Sequence, residues 1–286
     1  MILLVSQDAH TQQDTTESST AISVATLNLL RDLDRWDERK GLIVDEFQRL
    51  QPDLIALQEV ALAIDNAHWL AEQLGGYSVH MQAKTGRKCS KVEAIAILSR
   101  LPVQHTHWLD LRTQNRVALA VQTEIQGAPL LFVSGHFYWF PGDHSHRTRQ
   151  LQLLKSWLYT LAHNSPQTSM IVCGDFNGTP DMSSLQVMRE GFESAHVAHH
   201  GHEPDWTCPT PLPFQRTPWR KMVFQVAGLA TQKEFKPWRG TLDYIFVNRH
   251  VLVQECRVAF DQPALHDAGL FPSDHLGLSA RVKIKN

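Results

Sequence analysis

Short apolar runs, about four to eight residues each, alternate along this chain with segments of helical spacing. Ala21 to Leu27 predicts a strand. Trp36, Leu42, Ile43, Phe47 and Leu50 recur at helical spacing, and Pro52 stops that helix. Leu54 to Leu57 predicts a buried strand, and Ala67 to Leu74 a helix that ends at Gly75-Gly76. Further strands are expected over Ala94 to Leu98, Val117 to Thr123, Leu130 to Ser134 and Ser169 to Cys173, with an amphipathic helix over Arg147 to Ala162. Thr241 to Val247, Val251 to Ala259 and Leu276 to Ile284 predict the last strands. The order is mixed α/β without a repeat or a clear linker. Residues 1–20 read as a polar lead-in, and 21–286 as one domain. Six prolines between Glu203 and Gly240 predict little regular structure there and a loop beside the active site.

Polar clusters close the apolar runs. They are Thr26-Leu27-Asn28, Leu57-Gln58-Glu59, Ser134-Gly135-His136, Gly174-Asp175-Phe176-Asn177, Leu242-Asp243-Tyr244 and Ser273-Asp274-His275. A carboxylate at the end of a buried strand, such as Glu59, is costly unless it is paired or bound to a cation. Hard cations such as Mg²⁺ prefer such oxygens. Asp175 and Asn177 stand two apart and would share a side if the segment is extended, although Gly-Asp and Asn-Gly are also turn dipeptides. An aspartate beside a histidine, as Asp243 and His275 would be, orients the ring and favours its charged form. His136 would offer a second imidazole to a phosphate.

Taken together, these residues resemble the endonuclease/exonuclease/phosphatase (DNase I-like) superfamily. Pro52-Asp53-Leu54-Ile55-Ala56-Leu57-Gln58-Glu59 and Ala94-Ile95-Ala96-Ile97-Leu98-Ser99-Arg100 also carry the resemblance. It implies a four-layer α/β sandwich with two packed mixed β-sheets and a site at one end. It further implies that Glu59 binds Mg²⁺ or Mn²⁺ with help from Asn28 and Asp274. Asp175 would orient the attacking water beside Asn177. His275, oriented by Asp243, would contact the phosphate, and His136 would take the second histidine position with Glu93 as its partner. Where some members carry an aspartate as a further ligand, this chain has Leu30. The segment from His136 to Pro141, followed by Arg147 and Gln150, resembles the nocturnin, deadenylase and 2′-phosphodiesterase branch, with Phe137 and Phe140 as departures. Trp139 and Arg147 are thereby candidate substrate contacts.

Composition adds three things. The formal net charge is −2, so the protein as a whole is not a polyanion sponge. Basic residues are instead local: Lys84, Arg87, Lys88 and Lys91 crowd one segment, and Phe214 to Gly240 holds six basic residues against one acid. Trp219, Trp238, Phe214 and Phe235 are interleaved there, a composition that suits backbone contact and base stacking on single strands. Lys88, Trp238 and Arg239 are therefore candidate substrate contacts. The four cysteines have no zinc-ligand spacing, and with no secretory or membrane-spanning run they point to a reduced, cytoplasmic setting. The expected activity is metal-dependent phosphodiester hydrolysis of single-stranded or end-accessible nucleic acid, by a monomer without membrane insertion. A phosphatase or a sphingomyelinase-type lipid phosphodiesterase would use the same site, and an inactive phosphate-binding scaffold is a third reading.

Overall fold

A computed structural model describes residues 21–33, 35–212 and 239–285. Two six-stranded sheets pack face to face. In the first, β11 (Val251–Ala259), β12 (Gly277–Ile284), β1 (Ala21–Asn28), β2 (Leu54–Ala61), β4 (Glu93–Ser99) and β3 (Ser78–Ala83) lie in that order. In the second, the order is β5 (His105–Asp110), β6 (Val117–Ile125), β7 (Ala128–His136), β8 (Ser169–Asp175), β10 (Asp243–Asn248) and β9 (Phe192–Ser194). β1 and β2 run parallel, as do β7 and β8, and their other neighbours are antiparallel, so both sheets are mixed.

Period-two alternation decides which side chains face between the sheets. Val24, Leu54, Ala56, Ile95, Ile97, Leu119, Phe132, Ile171, Cys173 and Ile245 form that inner core. The alternate residues face outward. Leu27, Ile55, Leu57 and Ala96 pack beneath α1 (Trp36–Leu50) and α2 (Asn66–Leu74). Val133, Val172, Tyr244 and Phe246 pack beneath α3 (Ser145–Leu161) and α4 (Ser183–Arg189). The layers are therefore helix, sheet, sheet, helix, as the resemblance implies. A short helix, α5 (Ala195–His200), and two 3₁₀ turns (Cys89–Lys91 and Thr113–Asn115) complete the described elements. Among the described residues no helix is long and apolar enough to cross a membrane.

The predicted interior strands and long helices all form. β3, β5 and β9 have no counterpart in the expectations, and all three are edges of their sheets. An edge strand pairs on one side only and is half wet, so β5 reads His-Thr-His-Trp-Leu-Asp rather than as an apolar run.

Candidate active site

The same alternation that builds the inner core places the polar residues. Thr26 and Asn28 continue the inward face of β1, Gln58 that of β2, Ser134 and His136 that of β7, Asp175 that of β8, and Asp243 that of β10. The apolar core thus turns polar at one end of the sandwich. The two sheets are stitched there by side chains. Gln58 Nε2 donates to Ser134 Oγ at 3.1 Å, and Asn28 Nδ2 donates to Asp175 Oδ2 at 3.1 Å. Strand register makes the second sheet's contribution a row, since His136 and Asp243 each pair directly with Asp175. Gly174 lets β7 and β8 approach, because a Cβ there would lie 2.0 Å from Gly135 O.

Glu59 reaches the site by a different route. Strict alternation would send it outward, under the helices. A register shift between Leu57 and Val60, with Glu59 at φ 54°, makes a bulge that redirects its carboxylate and returns Val60 to the outer face. Glu59 Oε2 accepts from Arg31 N at 3.0 Å, and Oε1 lies 3.9 Å from His136 Nε2.

The segment Ser273-Asp274-His275 is pinned from all sides. Ser273 Oγ donates to Asn28 O at 2.6 Å, and Thr210 Oγ1 donates to Ser273 O at 2.6 Å. The buried guanidinium of Arg39 donates to Leu29 O, Leu30 O, Asp32 O and Pro272 O at 2.7–3.0 Å. Arg39 therefore ties the turn after Asn28 to the turn before Asp274. His275 Nδ1 sits 2.9 Å from Asp243 Oδ2, as expected, and Nε2 is 3.9 Å from Asp175 Oδ2. Thr207 supports this pair: its Oγ1 donates to Asp243 Oδ2 at 2.6 Å and accepts from Leu242 N and Asp243 N.

Electrostatics set the two imidazoles apart. Burial alone would depress His275, but Asp243, Cys208 and Asp175 outweigh it and hold its pKa well above the ordinary value. Burial pushes His136 well below it, and Arg116 and Lys84 add to the effect. The two shifts run in opposite directions, towards a charged ring at His275 and a neutral one at His136, a pattern found at acid–base sites. Burial pushes Asp175 up to about 7, His275 opposing and Asp243 adding. Asp274 is raised, by burial first and by Glu59 and Asp243 further. Burial and Glu93 oppose ionisation of Glu59, yet His136, the Arg31 N–H and Arg116 keep it below the usual carboxylate range.

This donor set fits a hard divalent cation. Asp243 is balanced by His275, and Glu93 by Arg31, Lys84 and Arg116. Among the described residues no lysine or arginine side chain lies within ion-pair distance of the Glu59, Asp175 or Asp274 carboxylates, and burial is the first cause that raises Asp175 and Asp274. Asp243 Oδ1 is buried without a hydrogen bond. Ligand-capable atoms of Glu59, Glu93 and His136 lie within 4.8 Å of one another, as do those of Asp175, Asp243 and His275.

The segment after Asp175 is a turn, the alternative that its Gly-Asp and Asn-Gly dipeptides offered: Asn177 takes φ 50°, its N donates to Asp175 Oδ1 at 2.8 Å, and its Nδ2 donates to Phe137 O at 3.2 Å. Asn177 therefore meets Asp175 through a turn rather than through period two. Arg147 is not a substrate contact, because it is fully buried and donates to Tyr138 O, Phe140 O and Gly142 O at 2.8–3.2 Å. Its work, with Gln150 on Tyr138 N, Leu111 O and Thr113 O, is to shape the loop after His136. Glu93 stands beside His136, with Oε1 3.6 Å from Nδ1, at ion-pair rather than hydrogen-bond distance, while Arg116 Nη1 lies 2.5 Å from that nitrogen. Leu30 lies in a small apolar cluster with Leu270, Phe271 and Leu276, which explains why no ligand stands there. Asn28 lies at the end of β1 in the site, with Oδ1 accepting from Leu30 N and Nδ2 donating to Asp175 Oδ2. Trp139 is half-buried in the loop after His136, Lys88 is exposed between β3 and β4, and Arg239 stacks 4.4 Å over Trp206. Trp238 lies outside the described residues.

The sequence reading missed Arg39, Arg116 and Thr207. For Arg39 a signal existed. It shares the buried face of α1 with Ile43 and Phe47, at positions where an unpaired charge would not be tolerated.

A family model described as "Endonuclease/Exonuclease/phosphatase family" matches residues 25–275. The chain belongs to that family. Mouse Nocturnin is 27% identical over 85% of this chain and 58% of its own length. The CCR4-Not complex 3'-5'-exoribonuclease subunit Ccr4 of Debaryomyces hansenii is 25% identical over 87% of this chain and 36% of its own. The chain thus spans less than two thirds of either relative. In fold, the human Nocturnin catalytic domain with bound sulfate anion superposes with a TM-score of 0.71, 24% identity, and coverage of 93% and 94% of the two chains. The matched segment runs from β1 to His275 and so contains every strand end described above.

Proposed function

We propose that this family member is a divalent-metal-dependent phosphodiester hydrolase acting on single-stranded or end-accessible nucleic acid. The observation that carries the proposal is the row His136, Asp175, Asp243 on three adjacent strands, with Glu59 facing it from the other sheet and His275 closing the end.

Glu59 and Asp274, with Asn28 beside them, would hold Mg²⁺ or Mn²⁺, and the cation would neutralise charge on the phosphate. Asp175 is the group to accept the proton of the attacking water, its carboxylate fixed by Asn28 Nδ2 and Asn177 N. The charged His275, held by Asp243 and through it by Thr207, donates from Nε2 to a phosphate oxygen. His136 faces the same space from the opposite side of Asp175.

Nucleic acid as the substrate is supported by the Ccr4 relative, a 3'-5'-exoribonuclease subunit of the CCR4-Not complex. It is also supported by exposed Arg87, Lys88 and Lys91, and by Trp139 and the Arg239–Trp206 stack on other loops of the chain. Residues 21–286 form the catalytic unit in this reading. All four cysteines are free, and a cytoplasmic, reducing setting belongs to this reading. The test is turnover with Mg²⁺ or Mn²⁺ across poly(A) RNA, single- and double-stranded DNA, a dinucleotide phosphate, an inositol phosphate and sphingomyelin. Preference for single-stranded nucleic acid supports the proposal, and preference for a lipid or inositol head group overturns it.

A further inference from the structure

Histidine 136 has two possible chemistries, and its Nδ1 partner selects between them. If a carboxylate accepts from Nδ1–H, Nε2 carries a lone pair and is a base. If a donor occupies Nδ1, the proton sits on Nε2. A guanidinium has donors only. Arg116 Nη1 is 2.5 Å from His136 Nδ1, so that nitrogen must be the acceptor. The only carboxylate near Nδ1 among the described residues, Glu93 at 3.6 Å, is beyond hydrogen-bond reach and serves Lys84, Arg31 (3.1 Å) and Arg116 (3.4 Å) instead. The opposite end of the ring agrees. Nε2 faces two acceptors, Asp175 Oδ2 at 3.4 Å and Glu59 Oε1 at 3.9 Å.

We infer that Arg116 is a positioning residue that fixes His136 as the neutral Nε2–H tautomer, making it a hydrogen-bond donor into the active site and not a base. Glu93 in turn holds Arg116 in place. The ring's proton then points at the oxygens around Asp175, where a substrate oxygen gaining charge would lie. That last consequence rests on the phosphodiesterase reading above, whereas the tautomer does not.

The test has two arms. In the first, long-range proton–nitrogen NMR on the substrate-free protein reads the His136 ring directly. Wild type is expected to show a protonated Nε2 and a lone pair on Nδ1. Arg116→Met should move the proton to Nδ1, facing the freed Glu93, and Arg116→Lys, which still donates, should restore the original pattern. A wild-type ring protonated on Nδ1, or an Arg116→Met ring unchanged from wild type, overturns the inference. If the methionine variant does not fold by circular dichroism, the wild-type and lysine spectra decide. In the second arm, turnover of a phosphodiester is expected to fall about 100-fold in kcat for Arg116→Met with KM little changed, and to recover in part for Arg116→Lys. An unchanged kcat with a moved proton overturns the donor role. Absence of turnover by wild type on every phosphodiester refutes the functional reading and leaves the first arm standing.

Discussion

Gly174→Ala tests how the fold brings His136 and Asp175 together. Gly174 has φ +141°, a conformation that L side chains rarely adopt, and holding an alanine there costs about 1–3 kcal/mol. The added Cβ would stand 2.0 Å from Gly135 O, 2.9 Å from Gly135 C and 3.1 Å from Gly135 N. These are backbone atoms of the paired strand and cannot rotate away, so β7 and β8 must separate, adding about 1–3 kcal/mol. The expected loss is about 3–5 kcal/mol, read as a lower urea midpoint at unchanged slope. Gly127→Ala supplies the comparison. It too has a positive φ, +84°, but nothing lies within 4 Å of its Cβ, so only about 1 kcal/mol is at stake. Gly135 and Gly174 directly precede His136 and Asp175, and a displacement near 1 Å there would cut turnover about 100-fold. If Gly174→Ala lost no more than Gly127→Ala and kept full turnover, the close strand approach would not be what assembles the site.

Thr207→Val removes the hydroxyl that serves Asp243 Oδ2, Leu242 N and Asp243 N, and is expected to cost about 2–3 kcal/mol in chemical denaturation, together with most of the turnover. Asp175, pushed up to about 7, binds a proton in the folded protein at pH values where the unfolded chain has lost it. Metal-free stability, taken as wild type minus Asp175→Asn, should therefore fall as pH rises from about 4 to about 7, by up to about 4 kcal/mol. Mg²⁺ favours the ionised carboxylates, so its thermal stabilisation should be larger at pH 8 than at pH 5.5. An equal shift at both would speak against cation binding at these groups. Replacing exposed Lys88 by Glu should raise KM several-fold for an oligonucleotide at low salt and leave a small phosphodiester unaffected.

Much of the site was legible because one rule serves both core and chemistry. Strand alternation puts Val24, Thr26 and Asn28 on one face, and Ile171, Cys173 and Asp175 on another. Polar letters at the end of an apolar run therefore mark where the inner core opens to water. The rule fails where the backbone leaves it. Glu59 is aimed by a bulge and Asn177 by a left-handed turn, and no period in the sequence announces either. Edge strands such as β5 were hidden because half their surface is wet. Arg39 and Arg147 look like surface cations when counted by charge, yet both lie on the buried faces of their helices, where their guanidinium groups take up loop carbonyls. A positive letter at a core position is a signal for loop architecture rather than for substrate. Arg116 was hidden for another reason. It lies far in sequence from His136 and precedes its strand, so only the fold reveals the contact.

In the proposed reaction Asp175, set between two imidazoles and opposite Glu59, activates water against a phosphodiester. Mg²⁺-dependent cleavage of an end-labelled single-stranded RNA by purified wild type, Asp175→Asn and Glu59→Gln tests it most directly. Both substitutions keep size and shape and should leave the thermal transition cooperative. A loss of about 1000-fold or more in kcat is expected for Asp175→Asn, and a strong loss for Glu59→Gln that excess Mg²⁺ partly offsets. Turnover by Asp175→Asn within about tenfold of wild type would contradict it.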